Sequence, residues 1–114
     1  MKKVEQEISL KELEEMTKRM YDALVKAVVD IEKEIMVVDA EMHADQEKFL
    51  IEDGSKQENL WGINLYPELY NTDDFVEFDS MINIRPTQGN KSRSVEDTRI
   101  RIKIREIVDR LVKQ

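Results

Sequence analysis

The segment 85–94 concentrates side chains that bind anions. It carries the cations Arg85, Lys91 and Arg93 among hydroxyl and amide side chains, and it contains no acid. Gly89 allows the backbone to approach a ligand closely, since glycine adopts conformations that other residues avoid. A helix is predicted to start directly after this segment, where free backbone amides and the positive end of the helix dipole favour an anion.

This composition predicts a site for an anionic small molecule such as a phosphate, a carboxylate or a nucleotide. The predicted ligand-binding residues are Arg85, Gln88, Gly89, Asn90, Lys91, Ser92 and Arg93. A capping loop is the alternative, in which the same cations pair with the acidic remainder of the chain. The pattern matches no defined phosphate-binding motif, so both interpretations stay open, and no cofactor is predicted.

Two carboxylates offer a different chemistry. Glu77 and Asp79 stand two residues apart in a segment that alternates like a strand, which places both on one sheet face about 7 Å apart. Asn64 is expected to face them from a neighbouring strand. Carboxylates at this spacing can exchange protons with a substrate, so an enzyme is the rival hypothesis. A solvated sheet face explains the same pattern without catalysis.

The only histidine, His43, joins Glu77, Asp79 and Asn64 as a candidate catalytic residue. A surface histidine is the simpler interpretation, because a transition metal usually takes several nitrogen ligands, and no metal site is predicted. Arg85 lies about 20 Å beyond Asp79 along a straight strand, so it cannot neutralise that carboxylate within the strand. In the enzyme hypothesis, Arg85 lines one cleft with the four candidates.

The charge of the chain is divided between its two parts. Residues 1–80 hold 21 acidic and 9 basic side chains, whereas residues 81–114 hold 4 and 9, so their net charges are −12 and +5. The total of −7 makes nucleic acid an unlikely main partner, because nucleic-acid binding depends on neutralising phosphates. The basic segment either packs against the acidic part or offers an anion-binding face.

Composition also bears on location and partners. Cysteine is absent, which excludes disulfides and thiolate chemistry. Residues 1–7 lack the apolar stretch of a signal peptide, and the longest apolar run, Ile35–Val38, is too short to span a bilayer. We therefore expect a soluble, cytoplasmic protein with no membrane partner. A homodimer, as a structural interaction module, is a third hypothesis.

Three helices are predicted. Ser9 and Glu12 match a capping box, and the apolar stripe that follows predicts a helix over 10–24. A short middle helix is predicted over 44–53, and a third helix over 95–112 with its start at the end of the polar loop.

Strands are predicted between these helices. The β-branched residues of 25–38 favour two strands, although no turn residue separates them and one long helix is the alternative. Alternation predicts a short edge strand over 4–8 and a hairpin of 60–66 with 75–85. The expected fold is α+β in a single domain, 1–114. It has an antiparallel sheet of about four to five strands, with the N-terminal and C-terminal helices packed on one side.

Several runs of the sequence resemble a known family. They are HAD at 43–45, GSKQ at 54–57, LWG at 60–62, SMINIRP at 80–86 and QGNKS at 88–92. Together they resemble a family of small uncharacterised prokaryotic proteins, a domain-of-unknown-function family, from about residue 24 onward. The resemblance implies a prokaryotic, cytoplasmic setting and a stand-alone domain. It implies no mechanism and no catalytic residue.

Overall fold

A computed structural model describes all 114 residues and shows an α+β fold, as predicted. The three α-helices are α1 (Leu10–Thr17), α2 (His43–Glu52) and α3 (Thr98–Leu111). The strands are β1 (Lys2–Val4), β2 (Ile8–Ser9), β3 (Val25–Asp30), β4 (Ile35–Val38), β5 (Leu60–Leu65), β6 (Val76–Glu77) and β7 (Val112–Lys113). None of the helices combines the length and apolarity needed to cross a bilayer.

Five strands form one antiparallel sheet in the order β1-β4-β3-β5-β6, while β2 and β7 form a separate parallel pair. The prediction of two strands within 25–38 is confirmed. Asp30 organises the turn between them, because its buried carboxylate accepts hydrogen bonds from the amides of Glu32 and Lys33. The Ser55 hydroxyl donates a further bond of 2.6 Å to the same carboxylate.

The sheet separates two apolar cores. Helices α1 and α3 pack on one face, in a cluster of 20 buried residues that includes Trp61, Ile104 and Ile107. Helix α2 covers the opposite face, where Leu50 packs with Val28 in a smaller cluster. The prediction that the N-terminal and C-terminal helices share one side of the sheet is therefore confirmed.

The first helix starts as predicted and ends early. The Ser9 hydroxyl accepts a hydrogen bond from the Glu12 amide at 3.1 Å, which is half of a capping box. The Glu12 carboxylate instead pairs with Lys2 at 2.7 Å. Helix α1 ends at Thr17, so the prediction of helix over 18–24 is wrong. The Thr17 hydroxyl bonds back to a carbonyl of its own turn, and the following residues carry the chain to β3.

The predicted antiparallel pairing of 60–66 with 75–85 is confirmed for β6 (Val76–Glu77), which pairs with β5, but the prediction of strand over 78–85 is wrong. The side chain of Asn83 takes the place of the missing strand. It accepts a hydrogen bond from the Gly62 amide at 2.8 Å and donates one to the Gly62 carbonyl at 2.9 Å. Ser80 packs against Gly62 so closely that an added Cβ would lie 2.6 Å from the Ser80 Cβ. These contacts turn the chain away from the sheet and into the polar loop.

Candidate functional site

The polar loop 85–94 is built around Asn90, whose side chain is buried. Its Nδ2 donates to the carbonyls of Asn83 and Ser94, each at 2.7 Å, and its Oδ1 accepts from the Glu96 amide at 2.9 Å. Gly89 has a φ of 81°, which closes the short turn back to Asn90. Asn90 therefore shapes the loop through bonds to its own backbone.

Arg85 anchors the start of the loop to β5. Its guanidinium donates to the carbonyls of Gln57 and Leu60 and to the Gln88 side chain. It also stacks on the indole of Trp61, with 4.3 Å from the guanidinium carbon to the ring centroid. Burial lowers the pKa of Arg85 from its ordinary value. All of these hydrogen bonds end on neutral oxygens, so the charge of Arg85 has no carboxylate partner.

A cavity of about 340 Å³ opens between the loop and the start of α3. We call it the Trp61 cavity, and it is lined by Trp61, Gln88, Gly89, Asn90, Glu96, Asp97 and Ile100. Trp61 is 2% exposed, and its indole Nε1–H has no hydrogen-bond acceptor. The Nε–H of Arg85, which stacks on that indole, is also buried without an acceptor. One stacked pair of side chains thus holds two buried donors without acceptors.

The start of α3 differs from the prediction. The helix begins at Thr98, and Asp97 caps it by accepting from the Arg99 amide at 2.9 Å, so a helix start directly after Ser94 is wrong. Glu96 accepts from the Lys91 amide at 3.1 Å, and hydrogen bonding from Ser92 holds the pKa of Glu96 below its ordinary value. Carboxylates of this chain therefore accept hydrogen bonds from backbone amides that were expected to bind a ligand.

The remaining predicted ligand residues lie on the outside of the loop. Arg93 pairs with Asp79 at 2.6 Å, which supplies the missing neutralisation of that carboxylate. Lys91 is exposed and its side chain forms no ion pair. Of the predicted ligand-binding residues, Gln88, Gly89 and Asn90 line the Trp61 cavity, and Arg85 stacks against its tryptophan.

The candidate catalytic residues also lie near one another. Glu77 accepts hydrogen bonds from Asn64 at 2.8 Å and from the Tyr66 hydroxyl at 3.1 Å. Asn64 also donates to the backbone carbonyl of Asp79 at 3.3 Å. Arg85 bonds elsewhere and does not join them. Both carboxylates therefore have partners within the chain.

His43 is 8% exposed, so the interpretation as a surface histidine is wrong. Its Nε2 lies 2.7 Å from the carbonyl oxygen of Ile63, the residue before Asn64. A carbonyl can only accept, which places the ring proton on Nε2. Burial lowers the pKa of His43 from its ordinary value of 6.5. The histidine is thus a neutral group that ties α2 to β5.

Sequence reasoning placed Trp61 in the core and did not include Glu96, Asp97 or Ile100 in the site. The core position of Trp61 is confirmed, and the stacking of Arg85 on its ring connects it to the loop. A buried tryptophan normally finds an acceptor for its N–H, and no local pattern in the sequence indicates that this one lacks an acceptor.

A family model described as "Protein of unknown function (DUF5674)" matches residues 2–111. The chain belongs to the DUF5674 family. The resemblance to a domain-of-unknown-function family is therefore confirmed, and it extends through the N-terminal strand and helix of this DUF5674 protein. Comparisons with curated proteins and with solved structures found no match.

Proposed function

We propose that this DUF5674 protein binds a small organic anion, a carboxylate or a phosphate monoester, in the Trp61 cavity. The observation that supports the proposal is the pair of buried, unsatisfied donors on Trp61 and Arg85. A buried donor without an acceptor costs about 1–3 kcal/mol, and a ligand oxygen that reaches it recovers that free energy. No carboxylate forms an ion pair with Arg85, and only the more distant charge of Glu47 acts on it, so the guanidinium favours an acceptor that is an anion.

The two carboxylates of the cavity do not contradict an anionic ligand. Glu96 is held by donors of the loop, and Asp97 caps α3 and pairs with Arg99 at 3.2 Å. Their charges are thereby partly neutralised within the chain, while their remaining lone pairs can accept from hydroxyl groups of the ligand. The volume of about 340 Å³ suits a small molecule. We place this function in the cytoplasm of a prokaryote, the setting that the family resemblance implies.

Binding is better supported than catalysis by Glu77 and Asp79. Glu77 is bonded to Asn64 and Tyr66, and Asp79 is paired with Arg93. A carboxylate that transfers protons needs to reach its substrate, whereas these two already hold groups of the chain.

Trp61 is the only tryptophan, so its fluorescence reports on the cavity directly. Titration with acetate and with methyl phosphate should change this emission in a saturable way. Lys91→Gln, which removes a loop charge outside the cavity, should leave the titration unchanged. Arg85→Met should weaken it by at least about tenfold, since a hydrogen bond to a charged group contributes about 1.5–3 kcal/mol. Equal losses in the two variants would show diffuse attraction and contradict the proposal.

A further inference from the structure

A second groove lies between the end of the loop, at Ser94, and helix α3. It measures about 430 Å³ and is lined by Tyr66, Leu69, Asp73, Asp74, Val76, Glu77, Phe78, Ser94, Arg101 and Arg105. We call it the arginine groove. We propose that it binds a small molecule that carries both a phosphate or carboxylate group and an amine.

Two arginines form the basic wall of this groove. Arg101 and Arg105 stand one turn apart on α3, and their guanidinium carbons lie 5.0 and 5.1 Å from the centroid of the Phe78 ring. Stacking on one ring restricts the motion of both side chains before any ligand arrives. The basic wall is therefore ordered in advance.

Most donors of these arginines are unused. Each guanidinium has five N–H groups. Arg101 donates to the Val95 carbonyl and, at 2.6 Å, to the Ser94 hydroxyl, while Arg105 donates to the Asp73 carbonyl at 3.2 Å. All three acceptors are neutral, and neither arginine has a carboxylate within ion-pairing distance. An anionic group with several oxygens matches the donors that remain.

Carboxylates also line the groove, and we call Asp73, Asp74 and Glu77 its acidic wall. Glu77 is oriented through one of its oxygens, Oε1, by Asn64 and Tyr66, and its Oε2 has no partner in the chain. Asp73 and Asp74 line the same groove and form no ion pairs. Arginines and carboxylates thus line one groove, and no arginine nitrogen lies within 4.0 Å of a carboxylate oxygen there. A ligand with an anionic end and an ammonium end can bridge these walls.

O-phosphoethanolamine and ethyl phosphate test the proposal, because they differ chiefly in the amine. In amide NMR titrations, O-phosphoethanolamine should shift residues 101–105, which lie outside the Trp61 cavity, and it should bind at least about tenfold tighter than ethyl phosphate. This is the ratio that one charged hydrogen bond produces. Glu77→Gln, which keeps an oxygen for Asn64 and Tyr66, should reduce this ratio. Arg105→Gln should weaken both ligands, and Lys91→Gln, outside the groove, should weaken neither.

The unaltered protein alone can overturn the proposal. Equal affinities for the two ligands would exclude a role for the acidic wall, and no response to O-phosphoethanolamine at millimolar concentrations would exclude the site. The indole resonance of Trp61 reports on binding in the Trp61 cavity, so a failure of this inference can be told apart from a failure of the proposed function. Ethyl phosphate and O-phosphoethanolamine are both phosphate monoesters, so the proposed function predicts that either one can move the indole. Binding in the arginine groove should in addition move the amides of residues 101–105, and a ligand that moves only the indole would contradict this inference.

Discussion

The guanidinium of Arg85 stacks on the indole of Trp61 at 4.3 Å, and both residues keep a buried N–H without an acceptor. This pair joins the polar loop to β5 and supplies the donors of the proposed site. Its structural and ligand-binding roles can be separated, because the other hydrogen bonds of Arg85 end on carbonyls of the chain and on Gln88.

Arg85→Lys should destabilise the fold although it keeps the charge. Lysine cannot reproduce the planar donor arrangement that serves the carbonyls of Gln57 and Leu60 together. We expect a loss of about 1–3 kcal/mol in the free energy of unfolding, measured by urea denaturation. A midpoint equal to that of the unaltered protein would show that these bonds contribute nothing.

Asn90→Asp should destabilise the loop more than any change at an exposed neighbour. In the unaltered protein, the carbonyls of Asn83 and Ser94 receive hydrogen bonds from the Asn90 amide group. Aspartate keeps the shape of the side chain but places an oxygen, which cannot donate, against these carbonyls. The expected loss is at least about 2 kcal/mol, since buried acceptors lose their donor. Lys91→Gln is the matched control and should leave the denaturation midpoint unchanged.

Substitution of Gly62 or Gly89 by alanine should destabilise the fold, for a different reason at each position. At Gly62 a Cβ meets Ser80 at 2.6 Å, so Gly62→Ala should cost about 1–3 kcal/mol through overpacking. At Gly89 nothing lies within 4 Å of an added Cβ, and only the φ of 81° opposes alanine. Gly89→Ala should therefore cost less, about 1–2 kcal/mol. A larger loss at Gly89 than at Gly62 would contradict the close approach of Ser80 to β5.

Stability should fall on mild acidification because of His43. Burial lowers the pKa of His43 below 6.5, so the unfolded chain takes up a proton that the folded protein resists as pH falls through 6.5. This contribution is fully present above pH 6.5 and is lost toward the lower, folded-state pKa. His43→Gln should lose less unfolding free energy between pH 7.5 and pH 5.5 than the unaltered protein. Parallel losses would contradict this role for His43.

The fold class could be predicted because the spacing of apolar residues and the residue types indicate the same secondary structure in the main helices and strands. The β-branched residues of β3 and β4 specify strands, and the cap at Ser9 specifies the start of α1. The prediction of strand over 78–85 failed because Asn83 replaces backbone pairing at Gly62, 21 residues away, and alternation carries no information on such a contact.

The loop residues of the candidate site could be predicted from the sequence, but the residues around the loop could not. Gln88, Gly89 and Asn90 were found from composition, whereas Trp61 joins them only through the folding of β5 against the loop. Local signals also placed the start of α3 at Ser94, but Asp97 competes for the same role and caps the helix. Which of two capping residues is used depends on tertiary contacts, here the bonds of Asn90 to Ser94 and Glu96.

The indole Nε1–H resonance of Trp61 in a ¹H–¹⁵N spectrum tests the proposed binding site most directly. It is the single tryptophan signal, and it belongs to the donor that the ligand is proposed to meet. Titration with acetate and methyl phosphate should move it downfield and to saturation, together with the amide of Gly89, and moderate salt should not abolish the shift because the donor is buried. An indole resonance that stays in place while amides across the basic segment shift with ionic strength would contradict the account.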